Sequence, residues 1–376
     1  MIPICCIAYN RTGSLERLLK SLEKAYYDEA VTLIISIDKS NTDEVEVFAD
    51  SYQWPFGDKK VIKHEENLGL RKHVLSCGEL LKNYDAIIVL EDDITVAQSF
   101  YTYAKQCVDK YQRNTECAGI SLYNFTVNYQ NRLPFAPLNI DSDVYMMRCA
   151  QSWGQVWMKS QWFDFVNWLS TQSGEFDEDP HLPSMICRWP KSSWLKFHTK
   201  YCIEQKKYFI YPYVSLSTNN ADAGTHISRR TTVFQTPLLY GEKKVFRLTP
   251  AVMYDGFFEN EGLARCFGID ERELCVDLYG EKQNREQKRY WLTLEKKNFR
   301  IINNFALELK PWDANILENK PGNCIFLYDT SEIANNRFEE NYDNKERYFY
   351  SMNKSSIKQI IYNSIKLRIG KLFHFD

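Results

Sequence analysis

Short β-branched runs alternate with helical stripes through the first third of the chain. Ile2 to Tyr9 reads as a strand, and Asn10-Arg11-Thr12-Gly13 as the polar turn after it. Leu15, Leu18, Leu19 and Leu22 then recur at the spacing of one helical face, with Ser14 placed to cap that helix. Val31 to Ile37 is a second buried strand closed by Asp38, and Val61 to His64 a short third. Leu70, Val74, Cys77 and Leu81 stripe a second helix, and Ala86 to Leu90 forms a fourth strand. Phe100, Tyr103, Cys107 and Tyr111 share a face of a third helix, ahead of a fifth strand at Gly119 to Leu122. This alternation predicts an α/β fold with a parallel sheet joined by right-handed crossovers.

Past Leu122 the pattern weakens. Residues 123–150 read as loops and short strands, and 151–200 are rich in Trp. Residues 1–240 are expected as one domain, 241–350 as an α+β extension, and 351–376 as a separate tail. In the tail Ile357, Ile361, Ile365, Arg368 and Leu372 fall near one helical face, with Lys358, Lys366 and Lys371 adding charge. It reads as a basic amphipathic helix, packed on the protein's core or lying on an anionic membrane surface.

Composition narrows the classes. A net charge of −2 provides no basic field for nucleic acid. The 11 cysteines are odd in number and contain no C-x-x-C pair, which argues against zinc and thioredoxin-type sites. They fit buried thiols in a reducing cytoplasm. No signal peptide precedes the first strand, and no run reaches the ~18 apolar residues of a membrane span. The expected location is cytoplasmic, with at most peripheral membrane contact.

The chemistry centres on Glu91-Asp92-Asp93, directly after the apolar run Ala86–Leu90. Open α/β sheets bind ligands beyond the carboxyl ends of their strands. Three adjacent acids there are costly to desolvate without a partner. Their hard oxygens suit Mg²⁺ or Mn²⁺, which in turn neutralises nucleotide phosphates.

With this motif and its strand context, roughly the first 230 residues resemble a nucleotide-sugar glycosyltransferase of the GT-A fold. The pattern is similar to N-acetylglucosaminyltransferase I and related bacterial, family 2-like enzymes. The resemblance implies a Rossmann-like, mainly parallel sheet flanked by helices. It implies that Asp93 binds the metal, that Arg11 contacts the nucleotide, that Asp38 reads uracil, and that His73 belongs to the donor site with Glu91 and Asp92. Ser152-Trp153-Gly154-Gln155-Val156-Trp157 resembles the segment that lies under the donor sugar and acceptor in that family. Gly154 allows close approach there, and Trp157 is either a sugar platform or a core aromatic on a helix. Gly224-Thr225-His226 resembles a loop ordered by donor binding, so His226 joins the donor-site set. Where the family places its catalytic Asp after a late Trp, this chain has Leu195 after Trp194. The base is therefore assigned to Asp222, with His198 as rival and Asp177 or Asp179 as further candidates.

Each assignment has a plainer reading. Arg11 can be a solvated turn residue, Asp38 a turn cap, and His73, beside Lys72, a surface histidine. The segment from about Gly174 to Pro183, which holds Glu175, Asp177, Glu178 and Asp179, is either a solvated loop or part of an acceptor mouth. The function implied is inverting transfer of a sugar from a nucleoside-diphosphate donor, UDP by preference, to a saccharide or lipid-linked saccharide. Bacterial surface polysaccharide synthesis is the expected setting. The alternatives are a non-catalytic nucleotide-sugar-binding protein, which the lost Asp would explain, and a sugar nucleotidyltransferase. The turn Asn10–Gly13 is poor in Gly for the latter's phosphate loop.

Overall fold

The structure, a computed structural model, describes residues 1–172, 176–222, 232–283, 288–338 and 354–373. Its first elements are β1 (Ile4–Ala8), α1 (Thr12–Leu22), β2 (Leu33–Ile37), α2 (Glu44–Ser51), β3 (Lys59–Lys63), α3 (Gly69–Gly78) and β4 (Ala86–Glu91). A short β5 (Ile94–Val96) leads into α4 (Phe100–Tyr111) and β6 (Cys117–Ser121). There follow β7 (Val144–Met147), β8 (Gln155–Met158), α5 (Lys159–Thr171), α6 (Ser184–Cys187), α7 (Trp194–Glu204), β9 (Tyr208–Pro212) and β10 (Ser217–Asn219). Beyond them lie β11 (Met253–Tyr254), β12 (Leu274–Asp277), β13 (Tyr290–Thr293), β14 (Phe299–Phe305), α8 (Trp312–Leu317), β15 (Ile325–Ile333) and α9 (Lys354–Phe373).

The main sheet runs β11-β7-β9-β6-β8-β4-β1-β2-β3. Its β4-β1-β2-β3 half is parallel, as the alternation predicts. The other half is mixed. β8 lies antiparallel between β4 and β6, and β7 is antiparallel to β9. An antiparallel strand needs no crossover helix, so the helix–strand rhythm left no sign of it.

Period-2 alternation splits the strand side chains between two cores. Ile4, Cys6, Ile35, Ile88 and Leu90 meet α1 and α4 on one face of the sheet. Cys5, Ile7, Ile87 and Val89 meet α3, α5 and α7 on the other. Leu15, Leu18, Leu19 and Leu22 of α1 are fully buried, which confirms the helical stripe. Trp157 is a core aromatic, but on strand β8 rather than a helix. It stacks on Trp162 with ring centres 3.8 Å apart.

The chain stays with this sheet beyond residue 240. Phe246 and Leu248 join the α1–α4 core, and β11 pairs with β7. A separate core around Leu292, Phe305 and Leu327 belongs to the four-stranded sheet β12-β13-β15-β14. All 11 cysteines are free thiols, most of them buried. Among the described residues no helix is long and apolar enough to cross a membrane.

Candidate active site

β1, β2 and β4 end side by side, with Ile7 registered against Glu91 and Ala8 against Ile37. The residues just past these strands therefore share one edge of the sheet. Arg11 comes from the turn after β1, Asp38 from the end of β2, and Glu91, Asp92 and Asp93 from the end of β4.

Arg11 is not a solvated turn residue. Its guanidinium grips Asp92 with two N–H groups, Nε at 3.2 Å from Oδ2 and a terminal nitrogen on Oδ1. The same group lies 3.6 Å from Asp93 Oδ2. Asp93 is fixed from the opposite side. β5 and β10 form an antiparallel ladder in which Ile94 faces Asn219. Asn219 Nδ2 donates to Asp93 Oδ1 at 3.2 Å, and the Asn220 backbone and side-chain N–H groups both donate to the Asp93 carbonyl.

Asp222 reaches the same edge from far along the chain. Its Oδ2 accepts from Ser14 Oγ at 2.9 Å and from Arg17. Ser14 thus serves Asp222 and does not cap α1, which begins at Thr12 with Arg11 in the cap position and no side-chain cap. Sequence reasoning missed Arg17. Its only signal was spacing, since Arg11, Ser14 and Arg17 recur every three residues along one side of a helix start.

The electrostatics are those of a buried acid cluster. Burial, then the charges of Asp93 and Asp92, push the Glu91 carboxyl up to about 8. Burial raises Asp92 to about 6 against the pull of Arg11. Asp93 is raised as well, again chiefly by burial. At Asp222 burial also pushes upward, but Arg17 and Ser14 outweigh it and hold the carboxyl below its ordinary value.

The remaining expected site residues are placed as follows. Asp38 is buried, and its carboxylate takes three backbone amides: Lys39 at 2.9 Å and Leu68 at 2.8 Å on Oδ1, and Gly69 at 3.0 Å on Oδ2. It is thereby the anion at the N-terminus of α3. His73 is no surface histidine. It is 2% exposed, and its Nε2 lies 2.8 Å from Ser36 Oγ. Gly154 lies at φ +95°, and a Cβ there would come within 2.8 Å of Ser217 Oγ. This close approach holds the neighbouring Trp153 against Tyr123 and Phe234. His226 lies outside the described residues.

His198 is not brought to the cluster. It is wholly buried on α7 among Phe165, Trp162, Trp194, Tyr201 and Phe209, and among the described residues neither ring nitrogen has a hydrogen-bond partner. Burial lowers its pKa to about 3. A ring enclosed in this way cannot touch an acceptor hydroxyl, which removes it as a base. Leu195 packs on the same aromatic core. Asp177 is exposed, and Asp179 lies 3.8 Å from Lys200.

Among the described residues no three His, Cys, Asp or Glu side chains are grouped as a cage for a metal ion. The chemistry of the edge nonetheless fits a hard divalent cation. Mg²⁺-like ions are held by one or two carboxylates and share the rest of their shell with water and substrate phosphates. Asp93 presents such a carboxylate, and the raised pKa values of Glu91, Asp92 and Asp93 mark an edge where added positive charge is favourable.

Residues 4–153 match the model of glycosyl transferase family 2. No curated protein sequence matches the chain. Among solved structures, the chain is similar to S. aureus TarS 1–349 in complex with UDP-GlcNAc, with a TM-score of 0.39 and 12% identity. That alignment covers 61% of this chain and 62% of TarS 1–349. It is also similar to the mannosyltransferase PcManGT from Pyrobaculum calidifontis in complex with GDP-Man and Mn²⁺, with a TM-score of 0.33 and 11% identity over 57% of this chain and 58% of that one. GalNAc-T7 with UDP, GalNAc and Mn²⁺ aligns with a TM-score of 0.39 and 14% identity, covering 62% of this chain and 45% of that one. The chain thus spans less than two thirds of the length of each of these proteins. Residues 4–153, which match the glycosyl transferase family 2 model, lie on a mainly parallel sheet flanked by helices, the architecture expected of a GT-A fold.

Proposed function

We propose that the chain transfers a sugar from a nucleoside-diphosphate donor, UDP by preference, to a hydroxyl acceptor, with a divalent cation at Asp93 and inversion at the anomeric carbon. The observation that carries this reading is the convergence of Glu91, Asp92, Asp93 and Asp222 on one strand edge, with Arg11 bridging two of them. A bound cation would supply Lewis-acid stabilisation of the leaving diphosphate. Arg11 orients Asp92 and places a fixed positive charge beside the phosphate position. Asp222 is the proposed base. Both of its described contacts fall on Oδ2, which leaves Oδ1 to take the acceptor proton, and its lowered pKa keeps it ionised at neutral pH.

Calorimetry tests the reading directly. Asp93→Ala should abolish Mn²⁺-dependent UDP binding while the circular dichroism of the fold is retained, and unchanged affinity would refute it. Donor hydrolysis measured with and without Mn²⁺ separates a working transferase from a protein that only binds the donor.

The same proposal includes peripheral membrane contact through α9, bringing the enzyme to a lipid-linked acceptor such as a growing bacterial surface polysaccharide. Ile360, Ile361 and Ile365 on this helix are exposed, and residues 354–373 contain no acid. Exposed isoleucines beside Lys358 suit an anionic lipid surface. Co-sedimentation with anionic vesicles should retain the full chain and lose a chain ending at Asn353.

A further inference from the structure

A groove of about 600 Å³ runs along the outer side of α1, a size suited to a small-molecule ligand. One wall carries Arg17, Lys20 and Lys24, which recur at helical spacing on α1. The other side is built from Thr95 to Gln98 and from Leu238 to Tyr240. The half-buried Leu238 and Leu239 give it an apolar stretch, and Tyr240, 86% exposed, stands at its rim.

Two links join the inner end of this groove to the carboxylate edge. Arg17 pairs with Asp222. Thr95 Oγ1 accepts from Asn220 Nδ2 at 3.0 Å, and that same amide donates to the Asp93 carbonyl. One positive charge on this wall, Lys24, is left over once Arg17 is paired with Asp222 and Lys20 with Glu16. Glu16 is the single lining acid and is committed to Lys20 at 2.6 Å. Lys24 pairs with no acid among the described residues, and Arg17 Nε is buried without a hydrogen-bond partner. A buried guanidinium N–H with no acceptor is a costly feature that an anionic oxygen would relieve.

We propose that this groove binds a phosphate-bearing acceptor. Its phosphate is held by Lys20 and Lys24, its apolar or ring portion lies on Leu238, Leu239 and Tyr240, and its hydroxyl is directed past Arg17 toward Asp222. The inference rests on the transferase reading of the carboxylate edge and adds the class of acceptor to it.

The test uses the full chain and two probes: soluble glycerol 3-phosphate, and phosphatidylcholine vesicles containing phosphatidic acid. Wild-type protein is compared with a Lys20→Glu, Lys24→Glu variant, and with a milder Lys20→Gln, Lys24→Gln variant should the first fold poorly. Charge reversal should weaken binding of the phosphate probe by roughly tenfold or more, because each charge-assisted contact is lost and replaced by repulsion. Mn²⁺–UDP affinity should stay unchanged, since neither lysine touches Asp93 or Arg11. Loss on both probes supports the phosphate itself as the ligand. Loss on vesicles alone identifies a lipid-linked source, and loss on glycerol 3-phosphate alone a free one. The vesicle comparison is between variants that share α9, so attachment through the tail cancels. Failure of wild-type protein to bind either probe, or equal binding by the charge-altered variants, overturns the proposal. Failure of wild-type protein to bind Mn²⁺–UDP would instead count against the carboxylate edge, whatever the groove does.

Discussion

Asn219 donates to Asp93 Oδ1 at 3.2 Å across 126 positions of chain. Its side-chain oxygen Oδ1 accepts the backbone N–H of Ala221, one residue before Asp222. One amide side chain thus sets the orientation of the proposed metal-binding carboxylate and the turn that delivers the proposed base. Asn219→Ala should weaken Mn²⁺-dependent UDP binding by about tenfold, the worth of one hydrogen bond to a charged group. Asp93→Ala should abolish it. Calorimetric titration of both variants checks the ranking, and an Asn219→Ala affinity equal to wild type would refute the positioning role.

Asp38 carries two demands at once. Its carboxylate accepts from Lys39, Leu68 and Gly69, and the uracil recognition expected of it would call on the same group. Asp38→Asn keeps one acceptor oxygen and turns an NH₂ toward a backbone N–H, so at least one amide loses its partner. The expected loss of stability is about 1–3 kcal/mol. Binding of UDP should fall much more than binding of inorganic diphosphate when both are measured well below the variant's Tm. Equal losses on the two ligands would assign Asp38 to the α3 N-terminus alone.

The parallel half of the sheet was legible because period and burial agree there. Ile4–Ala8, Leu33–Ile37 and Ala86–Glu91 are rich in β-branched and small residues, are almost wholly buried, and alternate with amphipathic helices such as the leucine-striped α1. The acids after β4 were legible because a strand end is where buried carboxylates require an explanation. The antiparallel β8 was not, because Gln155-Val156-Trp157-Met158 is short and follows another irregular segment. The partners of Asp222 were out of reach, since Ser14 and Arg17 meet it from more than 200 positions away. His73 and His198 show the same limit. Whether a histidine faces solvent, a hydroxyl or an aromatic cage depends on packing that no local pattern encodes.

Gly154 is required by geometry rather than by chance. At φ +95° an L side chain is strained, and its Cβ would press on Ser217 Oγ at 2.8 Å and Leu122 Cβ at 3.3 Å. Ser217 Oγ also donates to the Trp153 carbonyl, so the displaced atom belongs to the contact that holds Trp153 in place. Gly154→Ala should cost about 1–3 kcal/mol of stability through backbone strain. It should also alter transfer rates more than donor affinity, because Trp153 shifts while Asp93 stays held by Asn219 and Asn220. Thermal unfolding together with separate donor-binding and turnover measurements checks both parts. An alanine variant with wild-type stability would remove the strain argument.

His198 makes stability depend on pH. The folded-state pKa is lowered by burial from 6.5 to about 3, and both ring nitrogens lack partners among the surrounding aromatic rings. For a group whose pKa is depressed on folding, the unfolded chain binds the proton first as pH falls. Stability is therefore full above about pH 6.5 and is lost progressively down to about pH 3, at roughly 1.4 kcal/mol per pH unit. Carboxylates titrate in part of the same window, so the effect is read as a difference between proteins. His198→Leu removes the titrating ring and its two orphaned nitrogens while keeping an apolar side chain suited to a helix. Relative to wild type, the variant should gain about 2 kcal/mol on going from pH 7.5 to pH 5 in urea unfolding, the product of 1.5 pH units and the linkage slope. Its Mn²⁺–UDP affinity and its turnover should match wild type, because the ring reaches neither donor nor acceptor. A parallel pH dependence for the two proteins would show that the imidazole is not held neutral in the aromatic cage.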